Sequence, residues 1–116
     1  MISSDGIRGY NDAIILSILN KNDSYGYEIS KTIRERTNDS YVIKETTLYS
    51  VFARLEKNQL IVSYPGEVTH GKKRTYYKIT EIGRNLLEEK KQEWLTTKDV
   101  VDQFLRESKW IQSVII

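Results

Sequence analysis

Thr46, Ser50, Ala53 and Lys57 fall three or four residues apart, flanked by Tyr49 and Arg54, so at about 100° per residue they share one face of a helix. The middle of that face is short and hydroxylated, which lets a second surface approach the helix backbone closely. Its edges hold a phenol, a guanidinium and an ammonium, groups that reach phosphates and base edges. A face that merely meets water usually mixes long Lys and Glu side chains instead. On the opposite side Leu48, Val51, Phe52 and Leu55 repeat at i, i+3, i+4 and i+7, the stripe of a half-buried helix. The pattern predicts a helix over residues 45–60 with one apolar face and one face shaped for a groove.

A second cluster, Lys72, Lys73 and Arg74, would on its own be a solvated run of charge. Here it directly precedes Thr75, Tyr76, Tyr77 and Ile79, which read as strand. Ile61, Val62 and Tyr64 form an earlier strand-like run, and Pro65, Gly66 and Gly71 punctuate the turn between the two. An amphipathic helix followed by a hairpin with cations near its tip predicts a winged helix-turn-helix. Thr46, Thr47 and Ser50 are then candidates for hydrogen bonds to base edges or the sugar-phosphate chain. Tyr49, Arg54 and Lys57 suit phosphates, Arg54 being able to hold two oxygens at once. Lys44, Lys72, Lys73 and Arg74 supply the remaining attraction. Tyr76 and Tyr77 should split, one to the core beneath the hairpin and one to solvent.

The elements that position these residues follow in order. Residues 1–6 read as disordered, and a helix begins at Ile7. Ala13, Ile14, Ile15, Leu16, Ile18 and Leu19 make that helix apolar on more than one side, so it needs cover on more than one side. Residues 20–24 are a turn cluster, with Ser24 as candidate N-cap of a helix over 25–37. That helix should bury Tyr25, Ile29 and Ile33, and Gly26 in its first turn is tolerable if another backbone packs close. Residues 41–43 fit a short extended segment. Thr80 is the candidate N-cap of the longest helical pattern, which runs to about Arg106, roughly 40 Å at 1.5 Å per residue.

Leu87, Trp94 and Val101 recur every seven residues along that pattern, with Phe104 and Leu105 widening the stripe. Spacing of this kind favours helix-on-helix packing between subunits and a two-fold homodimer. Ile15 from the first helix joins Leu87, Trp94, Val101, Phe104 and Leu105 in the expected interface. Lys90 and Lys91 interrupt the stripe near Trp94, and Lys98 lies one turn further along. Paired across a two-fold axis, Trp94, Lys90 and Lys98 suit a planar aromatic molecule, neutral or anionic rather than cationic. The expected fold is α+β, mostly α: a DNA-binding unit over 1–80, then a dimerisation helix and apolar tail over 81–116.

Composition narrows the function classes. A chain of 116 residues suits one domain. No cysteine excludes disulfides and Cys-based zinc sites and suits a cytoplasmic protein. With one histidine, His70 near the hairpin tip, and no glycine-rich phosphate loop, neither a triad nor a metal cluster can be assembled, so no enzyme and no cofactor is expected. No apolar run approaches the roughly 20 residues that span a bilayer. The tail WIQSVII has only Lys109 beside it as a cation, which argues against a membrane-surface role. Residues 1–80 carry 12 Lys or Arg against 9 Asp or Glu, while residues 81–116 carry 6 against 7. The positive excess therefore lies with the helix and hairpin. The alternative is a winged helix used for protein contacts, which predicts little salt dependence and no cost from neutralising Arg54 and Lys72 to Arg74.

SYGYEI at 24–29, TTLYSVFARLEKNQLI at 46–61, GKKRTYYKIT at 71–80 and EIG at 81–83 together resemble the PadR family of transcriptional regulators. The likeness is to its short class, with a single C-terminal dimerisation helix, and covers residues 8 to about 105. It implies a winged-helix dimer that binds double-stranded DNA and represses nearby genes until a small molecule relieves it. Known members sense phenolic acids or bulky planar drugs, and in drug-sensing members a tryptophan of each last helix lines a flat central cavity. Trp94 falls at that position. Lys98 stands where those members can place an acidic group, and Lys90 where a small residue leaves room. The tail from Trp110 has no counterpart.

Overall fold

The computed structural model describes residues 2–69 and 71–106; His70 and the apolar tail from Trp110 lie outside them. The chain starts with a short helix α1 (Ser4–Ile7), where Ser3 Oγ accepts the Gly6 N–H at 3.0 Å. The Ile2 N–H donates to the Ser40 carbonyl at 2.7 Å. These two bonds correct the expectation of disorder for residues 2–6. A 3-10 turn (Arg8–Tyr10) leads into α2 (Asn11–Lys21).

Strand β1 (Ser24–Tyr25) precedes α3 (Gly26–Arg36), α4 (Glu45–Lys57), β2 (Ile61–Thr69), β3 (Lys72–Ile79) and α5 (Glu81–Leu105). The sheet is antiparallel in the order β1-β3-β2, with Ser24 opposite Tyr77 and Ile61 opposite Ile79. Ser24 is therefore a strand residue rather than an N-cap. Its hydroxyl donates to Glu28 Oε1 at 2.5 Å, and Tyr25 occupies the cap position. A register shift between Pro65 and Val68 bends the hairpin where Pro65 can no longer donate to the ladder. Residues 41–43 form no strand; Tyr41 and Ile43 are buried and Val42 is exposed.

Two Schellman motifs set the helix ends. After α4, Leu60 N–H bonds to Leu55 C=O and Gln59 N–H to Glu56 C=O, with Gln59 at φ 61°. After α3, Asp39 N–H bonds to Arg34 C=O and Asn38 N–H to Glu35 C=O, with Asn38 at φ 49°. Thr80 caps α5 through the Gly83 N–H at 3.0 Å and donates to Gln59 C=O at 2.7 Å, tying α5 to the end of α4.

The core joins Ile15, Leu16 and Leu19 of α2, Ile29 and Ile33 of α3, and Leu48, Val51, Phe52 and Leu55 of α4. Phe52 stacks on Tyr77 with ring centroids 4.1 Å apart, so Tyr77 is the core tyrosine and Tyr76 the more exposed one. Two residues expected between subunits belong to this core instead: Ile15 is 0% exposed and Leu87 3%. The start of α5 packs against α2, so both side chains are consumed inside one protomer. Trp94, Val101, Phe104 and Leu105 remain exposed on the second half of α5, with Trp94 and Val101 on the side that faces α1 and the 3-10 turn. Among the described residues no helix is long and apolar enough to cross a membrane.

Candidate nucleic-acid interface

The apolar stripe of α4 seats it on α2, α3 and the sheet, which leaves Thr46, Tyr49, Ser50, Ala53 and Lys57 exposed and Thr47 half-buried. Among the described residues the hydroxyls of Thr46, Thr47 and Ser50 make no hydrogen bond, and Lys44, Lys57, Lys72 and Lys73 make no ion pair. These groups stand open at the surface. Neither Tyr25 before α3 nor Lys44 before α4 caps its helix with a side chain, so the first-turn N–H groups lack a side-chain partner.

Both helix starts face a polar cleft of about 510 Å³ that the hairpin closes on one side. Tyr27 and Ser30 of α3, Tyr49 of α4, and Lys72, Lys73 and Arg74 of β3 meet there. Tyr49 bends back over α3: a Cβ added at Gly26 would fall 2.6 Å from the Tyr49 hydroxyl. The close approach expected at Gly26 is thus made by a phenol rather than by a backbone. Arg74 is half-buried, with its Cζ 4.9 Å from the Tyr25 ring centre and 5.9 Å from that of Tyr27. Its Nε is buried without a hydrogen-bond partner among the described residues. Sequence alone does not assign Tyr25, Tyr27 and Ser30 to the cleft, because SYGYEI shows only a helix start.

Arg54 is exposed on α4, as its helical position predicts, and there it has a protein partner. Its guanidinium engages the Asp12 carboxylate through both Nη2 and Nε, the latter at 3.4 Å. It serves first as a tie between α4 and α2. The wing is fastened as well: the Tyr64 hydroxyl donates to Asp23 Oδ2 at 2.6 Å, and that bond pushes the phenol pKa up to about 12. Tyr76 covers Gly66, where any added Cβ would collide with the ring, and stacks near Tyr64 with centroids 5.7 Å apart.

A second surface lies on the other side of α2. A groove of about 720 Å³ runs between α1, the 3-10 turn and α2 on one wall and α5 on the other. Ile7, Ile14, Leu87 and Val101 make it apolar, and Trp94 stands in it 44% exposed. Tyr10 meets the indole edge-on at 5.1 Å. Lys90 and Lys98 line the groove, yet each has a carboxylate on its own helix: Lys90 Nζ lies 3.6 Å from Glu93 and Lys98 Nζ 3.3 Å from Asp102. The positive charge expected around Trp94 is therefore largely offset. Among the described residues no group of His, Asp or Glu has metal-binding geometry.

The sequence matches the transcriptional regulator PadR-like family over residues 15–89. An uncharacterized protein from Lysinibacillus sphaericus is 50% identical over 105 residues, covering 90% of this chain and 96% of that one. A transcriptional regulator from Clostridium thermocellum superposes with a TM-score of 0.83 at 60% identity, over 90% of this chain and 98% of that chain. A PadR family transcription regulator from Clostridium difficile gives 0.74 at 48% identity, over 84% and 99%. A PadR-like regulator from Bacillus cereus gives 0.77 at 31% identity, over 89% and 98%.

Proposed function

The chain belongs to the PadR-like family of transcriptional regulators, and from that premise we propose that it is a cytoplasmic homodimeric repressor acting on a two-fold operator. One observation carries the reading: the start of α4, through Glu45 and Tyr49, and Lys72, Lys73 and Arg74 of β3 line one polar cleft, while Thr46 and Ser50 on the same helix and Lys72 and Lys73 are exposed with no hydrogen-bond or ion-pair partner among the described residues. Residues 1–80 form the DNA-binding unit and residues 81–116 the dimerisation unit. Thr46, Thr47 and Ser50 meet base edges or sugar in a major groove, while Tyr49, Lys57, Lys44, Lys72, Lys73 and Arg74 hold phosphates. The exposed apolar residues Val101, Phe104 and Leu105 of α5 supply the subunit contact. A planar aromatic molecule occupying the groove beside Trp94, near Lys90 and Lys98, releases the operator.

A titration of the protein against its own upstream DNA tests the reading. Neutralising 6–10 phosphates per dimer costs on the order of 10³–10⁵ in affinity between 50 and 200 mM salt. Half-sites about 34–36 Å apart are expected. A complex indifferent to salt and to sequence would favour the protein-contact module instead.

A further inference from the structure

We propose that Asn11 and Asp12 are positioning residues for DNA recognition, holding α4 in place from α2, and that Tyr10 beside them makes this hold respond to the occupant of the Trp94 groove. Three consecutive residues at the junction of the 3-10 turn and α2 face three different neighbours. Tyr10 lies against Trp94. Asn11 is 5% exposed, and its Oδ1 accepts the Tyr41 hydroxyl at 2.5 Å. Asp12 takes the Arg54 guanidinium.

One polar tie holds the segment that leads into the recognition helix and the other its last turn. Tyr41 sits four residues before α4, and its own N–H donates to Thr37 Oγ1 at 3.1 Å, so it fixes the segment that leads from α3 into α4. Arg54 lies in the last turn of α4. The apolar stripe beneath sets the depth of α4, but smooth aliphatic contacts allow it to slide or roll. A directional bond at each end removes that freedom. Tyr10, Asn11 and Asp12 are consecutive with no glycine among them, so a displacement at Tyr10 that shifts its backbone is felt at both ties. A small displacement suffices, because hydrogen bonds to base edges survive only over a few tenths of an ångström. The Arg54–Asp12 pair is too exposed to matter much for stability, which separates positioning from a purely structural role.

The groove half of the proposal rests on the ligand reading above, and the experiment keeps the two apart. Full-length protein carrying Trp110→Phe is titrated with anthraquinone-2-sulfonate, a planar aromatic anion, reading Trp94 quenching and operator affinity separately. With no further substitution the probe should lower DNA affinity by about 5–150-fold, with DNA weakening the probe by the same factor. In Asp12→Asn and in Tyr41→Phe the quenching midpoint should stay where it was, while the probe's effect on DNA falls to within about twofold. Asp12→Glu should restore part of the effect. A probe effect undiminished in both variants overturns the proposal. Tyr10→Ala and Asp12→Asn, alone and combined, form a cycle that needs no probe. Their effects on operator affinity should be non-additive, and additivity within about twofold overturns the proposal. If the probe leaves Trp94 unquenched, the ligand reading fails and this cycle alone decides. Thermal unfolding of each variant checks that the fold is kept.

Discussion

At the scale of single residues the two halves of the interface should fail differently. Thr46 and Ser50 have no protein partner among the described residues, so changing both to Ala leaves stability within about 0.5 kcal/mol. Discrimination between operator and scrambled DNA should drop by about 1–3 kcal/mol for each base that is no longer read. Lys72→Ala or Lys73→Ala should instead weaken all sequences alike and lower the salt slope by about one. Anisotropy titrations on both DNAs at several salt concentrations separate these outcomes. Tyr64 gives a second check. An unfolded tyrosine titrates near 10, whereas the Asp23 bond raises this phenol to about 12. The folded state thus holds the proton more tightly; the stabilisation is complete below pH 10 and is lost as pH rises toward 12. Burial raises the Tyr41 pKa in the same direction. Melting curves at pH 9 and 11 should show a larger drop for the parent than for Tyr64→Phe. The exposed face of α4 is legible in the sequence because helical period assigns faces without any knowledge of the fold. Arg54's partner is not, because Asp12 is 42 residues away and period is silent on what lies across a contact.

At the scale of elements, the junction between α4, the hairpin and α5 is governed by close backbone approach. A Cβ at Gly83 would collide with the Leu60 carbonyl oxygen, which Thr80 also engages. A carbonyl fixed by these bonds cannot retreat, so Gly83→Ala should destabilise by about 1–3 kcal/mol despite the better helix former. At Gly26 the obstructing atom is the Tyr49 hydroxyl, the far end of a flexible side chain. Gly26→Ala should therefore fold with near-parental stability while pushing the phenol off its site and weakening DNA binding. Urea unfolding and operator titration on both variants test the contrast; equal stability losses would show that Tyr49 is as immobile as the carbonyl. Thr80 is readable as a cap because its role is local. Ser24 is not readable as a strand residue, because the same residue type suits an N-cap until β3 lies beside it, and that pairing spans more than fifty residues.

At the scale of the molecule, α5 extends the chain to 64 Å along its longest axis against 29 and 22 Å across. The seven-residue spacing of Leu87, Trp94 and Val101 predicts packing between subunits along one stripe, interrupted at Lys90 and Lys91, but the helix changes surroundings along its length. Its first turns pack on α2 and bury Leu87, while its last turns leave Val101, Phe104 and Leu105 at 43%, 70% and 77% exposure. A repeat in sequence cannot tell a contact within the protomer from one between protomers, which is why spacing places Leu87 between subunits, and a helix apolar on several sides cannot say which side is internal, which is why Ile15 is expected there too. The distal residues are where subunit association should be decided. An isolated helix end carrying Phe104 and Leu105 in water is unfavourable, and burying each such side chain against a second copy gains about 1.5–3 kcal/mol. Changing Val101 and Phe104 together to Asp should give monomers whose winged domain still melts cooperatively, because neither side chain enters the core. Those monomers should bind one half-site weakly and lose the steep affinity for a two-fold operator. Sedimentation of the double variant as an intact dimer would place the interface on another surface, and the apolar wall of α2 around Ile14 and Ile18 would then be the next to mutate.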